Sequence, residues 1–237
     1  MAERKCFDPE ALQGRLAADA REIQLYESRG IDQVTRVQAG SFLGRTLGQY
    51  LEILFHRIGV DSMAYGTHPP TVVDVGCGAS VALAGFRGIE PKARLIGIDT
   101  RNVLLNTIED ERGREITGWK FFEENRMEFR QDTFLNINNL VPQGYDLLFS
   151  VGAFYDHHSP NAPMAYALKL FYEGLRTGGS AFIQANPDQN SWVQAKKCLV
   201  DAGIPVRFVA SDPAVLRIHA LHNSGGIFGT IVLGPKT

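Results

Sequence analysis

The sequence predicts an α/β fold: a doubly wound, mostly parallel sheet with a C-terminal antiparallel hairpin, preceded by an N-terminal helical cap. Three observations carry this. Short apolar, β-branched runs recur from residue 71 onward with helical stretches between them. Strands alternating with helices require right-handed crossovers, which place helices on both faces of a parallel sheet. Residues 1–70, by contrast, show helical periodicity alone.

The cap comes first. Asp8, Pro9 and Glu10 supply an N-cap acid, a proline at the first helical position and an acid in the first turn. Leu12, Leu16, Ile23 and Tyr26 then keep helical spacing, and Gly30 is a stop. A second helix starts at the Ser41 cap. Leu43, Leu47, Tyr50, Leu51, Leu54, Phe55 and Ile58 fall on one stripe that ends at Gly59. Both stripes need a surface to cover, and the following domain offers one. The chain therefore divides into a cap or lid over 1–70 and a sheet domain over 71–237.

The first strand is Thr71–Val75, running into Gly76, Cys77 and Gly78, with a weakly helical stretch to Gly88. Arg94–Asp99 is the second, followed by a helical segment from Asn102. Met127–Asp132 alternates as a third strand, Tyr145–Ser150 is the fourth and Ser180–Asn186 the fifth. Helical patterns over 160–176 and 189–202 separate the later strands. Residues 206–210, 216–222 and 227–233 read as strands without helices between them, and Asn223 to Gly226 carries turn chemistry for the terminal hairpin. From Glu109 to Arg130 charges of both signs are crowded together, which predicts a solvated helix end and loop.

The chain has 237 residues, 24 basic against 26 acidic side chains, and a net charge of -2 at pH 7. Hydrophobic residues make up 44% and charged residues 21%, the balance of an ordinary globule long enough to bury a full core. Near-neutrality argues against a nucleic-acid or anionic-lipid partner, since either calls for a basic excess. The best apolar run, Leu147 to Phe154, falls far short of the roughly 18 residues of a membrane span. The N-terminal residues lack the apolar core of a signal peptide, so a cytoplasmic location is expected. Cys6, Cys77 and Cys198 form no close pair and no zinc-spaced cluster. They are expected as reduced thiols, with no metal bound. The oligomeric state stays open, a homodimer among the options.

Ligands of open parallel sheets bind at the carboxyl ends of the strands, near the switch in strand order. Four strand ends carry chemistry here. After the first come Asp74, Gly76, Cys77 and Gly78, where glycines allow a tight turn and a close backbone approach near a helix N-terminus. After the second comes Asp99, whose carboxylate can accept from both hydroxyls of a ribose. Asp132 and Thr133 follow the third, and Ser150 and Val151 the fourth. A nicotinamide fingerprint requires Gly or Ala where Val81 stands, and a pyrophosphate gains nothing from Asp74. S-adenosylmethionine, with its sulfonium and ammonium, does gain from that acid.

The stretches V-V-D-V-G-C-G-A-S, L-I-G-I-D, F-R-Q-D-T, Y-D-L-L-F-S and L-R-T-G-G-S-A-F-I, in this order, resemble the motifs of the class I S-adenosylmethionine-dependent methyltransferases. The resemblance covers about residues 70–235. It implies a seven-stranded sheet, S-adenosylmethionine as cofactor and methyl transfer as the activity. By the same resemblance, Asp74, Gly76 and Gly78, with Cys77 between them, match the loop around the methionine moiety. Asp99, with Thr100 beside it, matches the acid that holds the ribose hydroxyls. Asp132 matches the acid near the adenine amino group, with Thr133 next to it. Ser150 and Val151 match the floor of the cofactor site. Leu175 to Gly179 matches a structural turn before the fifth strand. Ser80 stands where the family often has a third glycine, and it is small enough to cap the following helix.

Base-methylating branches of the superfamily carry Asn/Asp-Pro-Pro-Tyr/Phe after the fourth strand. Ser150 to Tyr155 departs from it, so a small-molecule acceptor with a reacting oxygen or nitrogen is expected. Such an acceptor must be positioned and, for a hydroxyl or protonated amine, deprotonated. His157 and His158 follow the fourth strand, with reference pKa values near 6.5 that suit a general base. Adjacent residues cannot share one face, and the sequence does not choose between them. Tyr155, together with Tyr26 and Arg36 of the cap, are the candidates for binding the acceptor. The family's metal-dependent branch pairs an acid with Asn after the fifth strand; Ala185 stands in the acid's place before Asn186, so no metal is expected. Two other readings stay open: an aminopropyltransferase on the same fold, and a non-catalytic cofactor-binding or partner subunit.

Overall fold

Aliphatic runs that alternate with helices can bury both faces only in the middle of a sheet, and this is where they lie. The computed structural model describes residues 68–78, 81–105, 107–109, 115–150, 164–185, 190–210 and 229–237, together with Phe7, Glu10, Val37 and Gln38. In chain order the strands are β1 (Val37–Gln38), β2 (Thr71–Val75), β3 (Arg94–Asp99), β4 (Thr107–Glu109), β5 (Glu115–Thr117), β6 (Met127–Gln131), β7 (Tyr145–Ser150), β8 (Leu175–Ala185), β9 (Val206–Ala210) and β10 (Gly229–Leu233). The α-helices are α1 (Val81–Ile89), α2 (Gly118–Glu124), α3 (Ile137–Leu140), α4 (Met164–Gly174) and α5 (Asn190–Asp201).

The main sheet has seven strands in the order β6-β3-β2-β7-β8-β10-β9. The first five run parallel. β10 is antiparallel to both β8 and β9. The expected doubly wound, mostly parallel sheet with a C-terminal antiparallel pair is therefore present. Chain order reverses between β3 and β7 on either side of β2, which puts the switch point at the carboxyl end of β2.

Alternation along the strands supplies two cores. Val73, Val75, Ile96, Ile98 and Leu148 face one side, packed with Ala167, Leu168 and Phe171 of α4 and Leu199 of α5. Val72, Leu95, Leu147 and Phe149 face the other, against Leu83 and Phe86 of α1 and Phe121 and Phe122 of α2. Each large aliphatic or aromatic side chain so buried contributes about 1.5–3 kcal/mol.

Several expectations need correction. The helix expected from Asn102 is a short 3₁₀ turn over Val103–Leu105 followed by β4. The expected charged loop over 109–130 contains β5, α2 and most of β6. The charges there misled because they occupy outward positions: Glu115 and Thr117 are exposed while Ile116 is buried between them. The turn expected at Leu175–Gly179 belongs to β8, whose pairing with β7 slips between Tyr145 and Leu147. Strand 216–222 and the turn Asn223–Gly226 lie outside the described residues, as do the two cap helices beyond Glu10. Val37 and Gln38 form a strand, not helix, pairing parallel with Ile108 and Glu109 of β4 in a small sheet ordered β1-β4-β5. Phe7 packs against the first core, its ring under Lys169 Nζ at 4.9 Å. Cys77 is an unbridged buried thiol, but Cys198 is disulfide-bonded, against the expectation of reduced thiols. Wide spacing in sequence excludes only local pairs; the fold decides which cysteines meet.

One glycine tests the packing below the site. A Cβ on Gly174 would stand 2.6 Å from Tyr145 Oη and 2.7 Å from Asn138 Oδ1. The Tyr145 hydroxyl is itself held, donating to Phe171 O at 2.7 Å. Gly174→Ala is expected to destabilise by about 1–3 kcal/mol through overpacking. Gly88→Ala in α1 meets nothing within 4 Å. It is expected to leave stability unchanged or raise it by up to about 1 kcal/mol through helix propensity. Urea unfolding of both variants checks the contrast.

Candidate active site

Parallel strands end together, so their terminal residues form one row, and that row carries the predicted acids. Asp74 is the next-to-last residue of β2, Asp99 ends β3, Asp132 follows β6 and Ser150 ends β7. β2 and β3 pair with Asp74 opposite Gly97, which puts Asp74 and Asp99 on the same face of the sheet, two positions apart. Phe149 of β7 stands in register on the other side of Asp74.

The loop after β2 bends through Gly76 (φ 67°) and Gly78 (φ 48°), a left-handed backbone that L side chains adopt only at a cost. Its first three N–H groups are turned inward. Gly76 and Cys77 donate to Ile98 O at 2.8 and 3.1 Å, and Gly78 donates to Asp99 Oδ2 at 3.0 Å. Cys77 packs its side chain into the core. At these positions the loop therefore offers shape and a fixed approach to a ligand, not unengaged donors.

Asp99 is buried but well supplied. Besides Gly78, it accepts from Arg101 N at 2.9 Å and Arg101 Nε at 3.4 Å, both on Oδ1. A carboxylate has about four lone-pair sites, so one further donor fits beside these three, and a second fits where the long 3.4 Å Arg101 Nε contact gives way. Asp132 donates its own N–H to Asp99 O at 3.0 Å, which ties the ends of β3 and β6 together. Its Oδ1 accepts from Thr133 N at 2.7 Å and Asn136 Nδ2 at 2.9 Å, leaving Oδ2 unengaged among the described residues. Thr133 caps the following 3₁₀ turn, its hydroxyl accepting from Leu135 N. Gln131 Nε2 donates to Thr100 O at 3.3 Å. Ser150 is buried and donates its hydroxyl to Val75 O at 2.9 Å, bracing β7 against β2.

Asp74 differs from all of these. It is 3% exposed, yet no described residue donates a hydrogen bond to its carboxyl. Burial, and next to it the charge of Asp99, push that carboxyl well above the usual range. A buried polar group without a partner costs about 1–3 kcal/mol on mutational scales and calls for an explanation.

No family model and no curated protein matches the chain. Solved structures do. The magnesium protoporphyrin IX methyltransferase of Synechocystis PCC 6803, solved with S-adenosylmethionine bound, aligns over 81% of this chain and 79% of its own at 12% identity and a TM-score of 0.53. A Galdieria sulphuraria protein assigned as a sarcosine dimethylglycine methyltransferase aligns over 78% of this chain and 84% of its own, at 13% identity and a TM-score of 0.50. The fold is that of the class I methyltransferases.

Within this methyltransferase fold, Asp74, Gly76, Cys77, Gly78, Asp99, Thr100, Asp132, Thr133 and Ser150 are brought to one edge. Val151, Tyr155, His157, His158, Tyr26 and Arg36 lie outside the described residues. Three residues at the edge escaped the sequence reading: Arg101, Gln131 and Asn136. For Arg101 a signal existed, since an Asp two residues ahead of it at a strand end favours an Asx turn. Among the described residues no group of three or more His, Cys, Asp or Glu side chains is placed to hold a metal. No described helix is long and apolar enough to cross a membrane.

Proposed function

We infer that the protein transfers a methyl group from S-adenosylmethionine to an oxygen or nitrogen of a small molecule. The observation that carries this reading is Asp74, a buried carboxyl at the head of a glycine turn with no donor among the described residues. A cationic ligand with N–H donors answers that anomaly best, since it brings both the missing hydrogen bond and an opposite charge. Bound there, S-adenosylmethionine supplies an electrophilic methyl on a sulfonium. In this reading Asp99 accepts from the ribose hydroxyls, with Thr100 at the same strand end. Asp132 presents Oδ2 to the adenine amino group, Thr133 fixes the turn behind it, and Ser150 and Val151 form the floor. Gly76, Cys77 and Gly78 shape the wall around the methionine moiety.

On the acceptor side, one of His157 and His158 takes the proton, and Tyr155, Tyr26 and Arg36 hold the acceptor. Residues 1–70 serve as a cap. In support, Val37–Gln38 sits against β4, only a short 3₁₀ turn beyond Asp99. A small acceptor is favoured by the near-neutral charge, since a polyanion selects a basic surface. The two solved relatives are also named for small molecules.

Titration calorimetry tests the core of the reading: S-adenosylmethionine and its demethylated product should both bind, and binding of neither would sink it. For the base, replacing the operative histidine with Ala is expected to lower kcat by about 10²–10⁴. The wild-type rate should fall below a pH near 6.5. Two single variants, at 157 and 158, that both keep the wild-type rate remove the histidine from the reaction.

A further inference from the structure

Two buried acids share one face at the switch point, and the protein treats them unequally. Asp99 receives three N–H contacts, from Gly78, Arg101 N and Arg101 Nε. Asp74 receives none from the described residues. The described elements around Asp74 bring it no positive charge either. β3 offers Gly97 in register and then Asp99, whose own partner is the Arg101 guanidinium. β7 offers Phe149 in register, and the Ser150 hydroxyl is engaged by Val75 O. α1 packs Leu83 and Phe86 on this face. Its one charged residue, Arg87, donates to the carbonyls of Pro91, Ala93, Asn125 and Arg126. Asp132, beyond Asp99, is held by Thr133 and Asn136.

A neighbouring buried carboxylate disfavours the charged form of Asp74. Hydrogen bonds to a carboxylate favour its charged form, and Asp74 has none from the described residues. We propose that Asp74 carries a proton while the site is empty and releases it when a cationic ligand enters, so that recognition of the positive charge is coupled to loss of one proton. The inference rests on the methyltransferase reading for the ligand's identity. The O–H bond of Asp74 breaks, its proton passes to solvent, and the carboxylate left behind faces the incoming charge. The raised position of the empty-site carboxyl agrees with this order of events.

The linkage has a definite sign. The free protein holds a proton that the complex does not, so affinity rises with pH, by up to about tenfold per pH unit, and levels off once Asp74 ionises unaided. Calorimetry in two buffers of different ionisation enthalpy counts the protons released, with three ligands as probes. S-adenosylmethionine carries sulfonium and ammonium, its demethylated product the ammonium alone, and adenosine neither. Up to one proton per S-adenosylmethionine and none per adenosine is expected. Release with the product as well assigns the charge to the ammonium, whereas release with S-adenosylmethionine alone assigns it to the sulfonium. Asp74→Asn supplies the baseline, because the ligand's own amino group titrates near pH 7.7–8.0. That variant should bind S-adenosylmethionine more weakly and without the proton. Binding with no buffer dependence at any pH from the ordinary Asp value of about 3.9 upward, or a folded Asp74→Asn protein that still releases the proton, overturns the proposal. If none of the three ligands binds, the methyltransferase reading itself has failed.

Discussion

Asp99→Ala should lower the affinity for S-adenosylmethionine by about 100-fold or more. A hydrogen bond to a charged acceptor is worth about 1.5–3 kcal/mol, and a ribose presents two hydroxyls to one carboxylate. Two such bonds amount to about 3 kcal/mol at the low end, and 1.4 kcal/mol is a factor of ten. The substitution also strips Gly78 N–H of its acceptor at 3.0 Å and leaves the Arg101 guanidinium without its partner. A stability loss of about 1–2 kcal/mol should accompany the lost affinity, and thermal melting separates the two effects. Asp99→Asn keeps a carbonyl oxygen for Gly78 but gives up the charge. It should melt close to wild type and bind with an affinity between the other two proteins. An alanine variant that binds S-adenosylmethionine as wild type does would remove the ribose role from Asp99, leaving its role in the loop untouched.

The parts of this site that could be read in the sequence are those that backbone topology fixes. β2, β3 and β7 are central parallel strands buried at nearly every position, so each reads as a short, mainly apolar run, and the ends of β2 and β3 are marked by glycine or an acid. Once such strands are parallel, Asp74, Asp99 and Asp132 must come to one edge. β4 and β5 were illegible because each is three residues long and holds a single isoleucine between polar neighbours. Short strands of this kind are defined by their partners rather than by their own pattern. The unequal supply of donors to Asp74 and Asp99 was hidden for the same reason. It depends on Gly78 turning back toward β3, and on Arg101 folding onto Asp99, both consequences of three-dimensional placement. The bond made by Cys198 is another contact that no spacing rule anticipates.

Asp74→Asn is expected to make the protein more stable at pH 8 while weakening its grip on S-adenosylmethionine. The sign follows from the burial of Asp74. Its folded-state carboxyl lies above the ordinary Asp value, so the folded protein holds a proton that the unfolded chain releases. Raising the pH from the ordinary Asp range up through the raised folded value therefore removes stability from the wild type. Asparagine is the neutral isostere and does not titrate, so the variant escapes that loss. The stabilities of the two proteins should converge at about pH 3, below the ordinary Asp value, and diverge as the pH rises through it. At pH 8 the gain is about 1.4 kcal/mol for each pH unit by which the folded carboxyl lies above the ordinary Asp value. For a chain of this length that corresponds to a rise in Tm of about 2–4 °C per kcal/mol. Melting curves at both pH values check it. A structural carboxylate gives the opposite outcome, because removing its charge lowers stability along with affinity. Gain in one and loss in the other is the signature of a residue kept for its ligand at the expense of the fold.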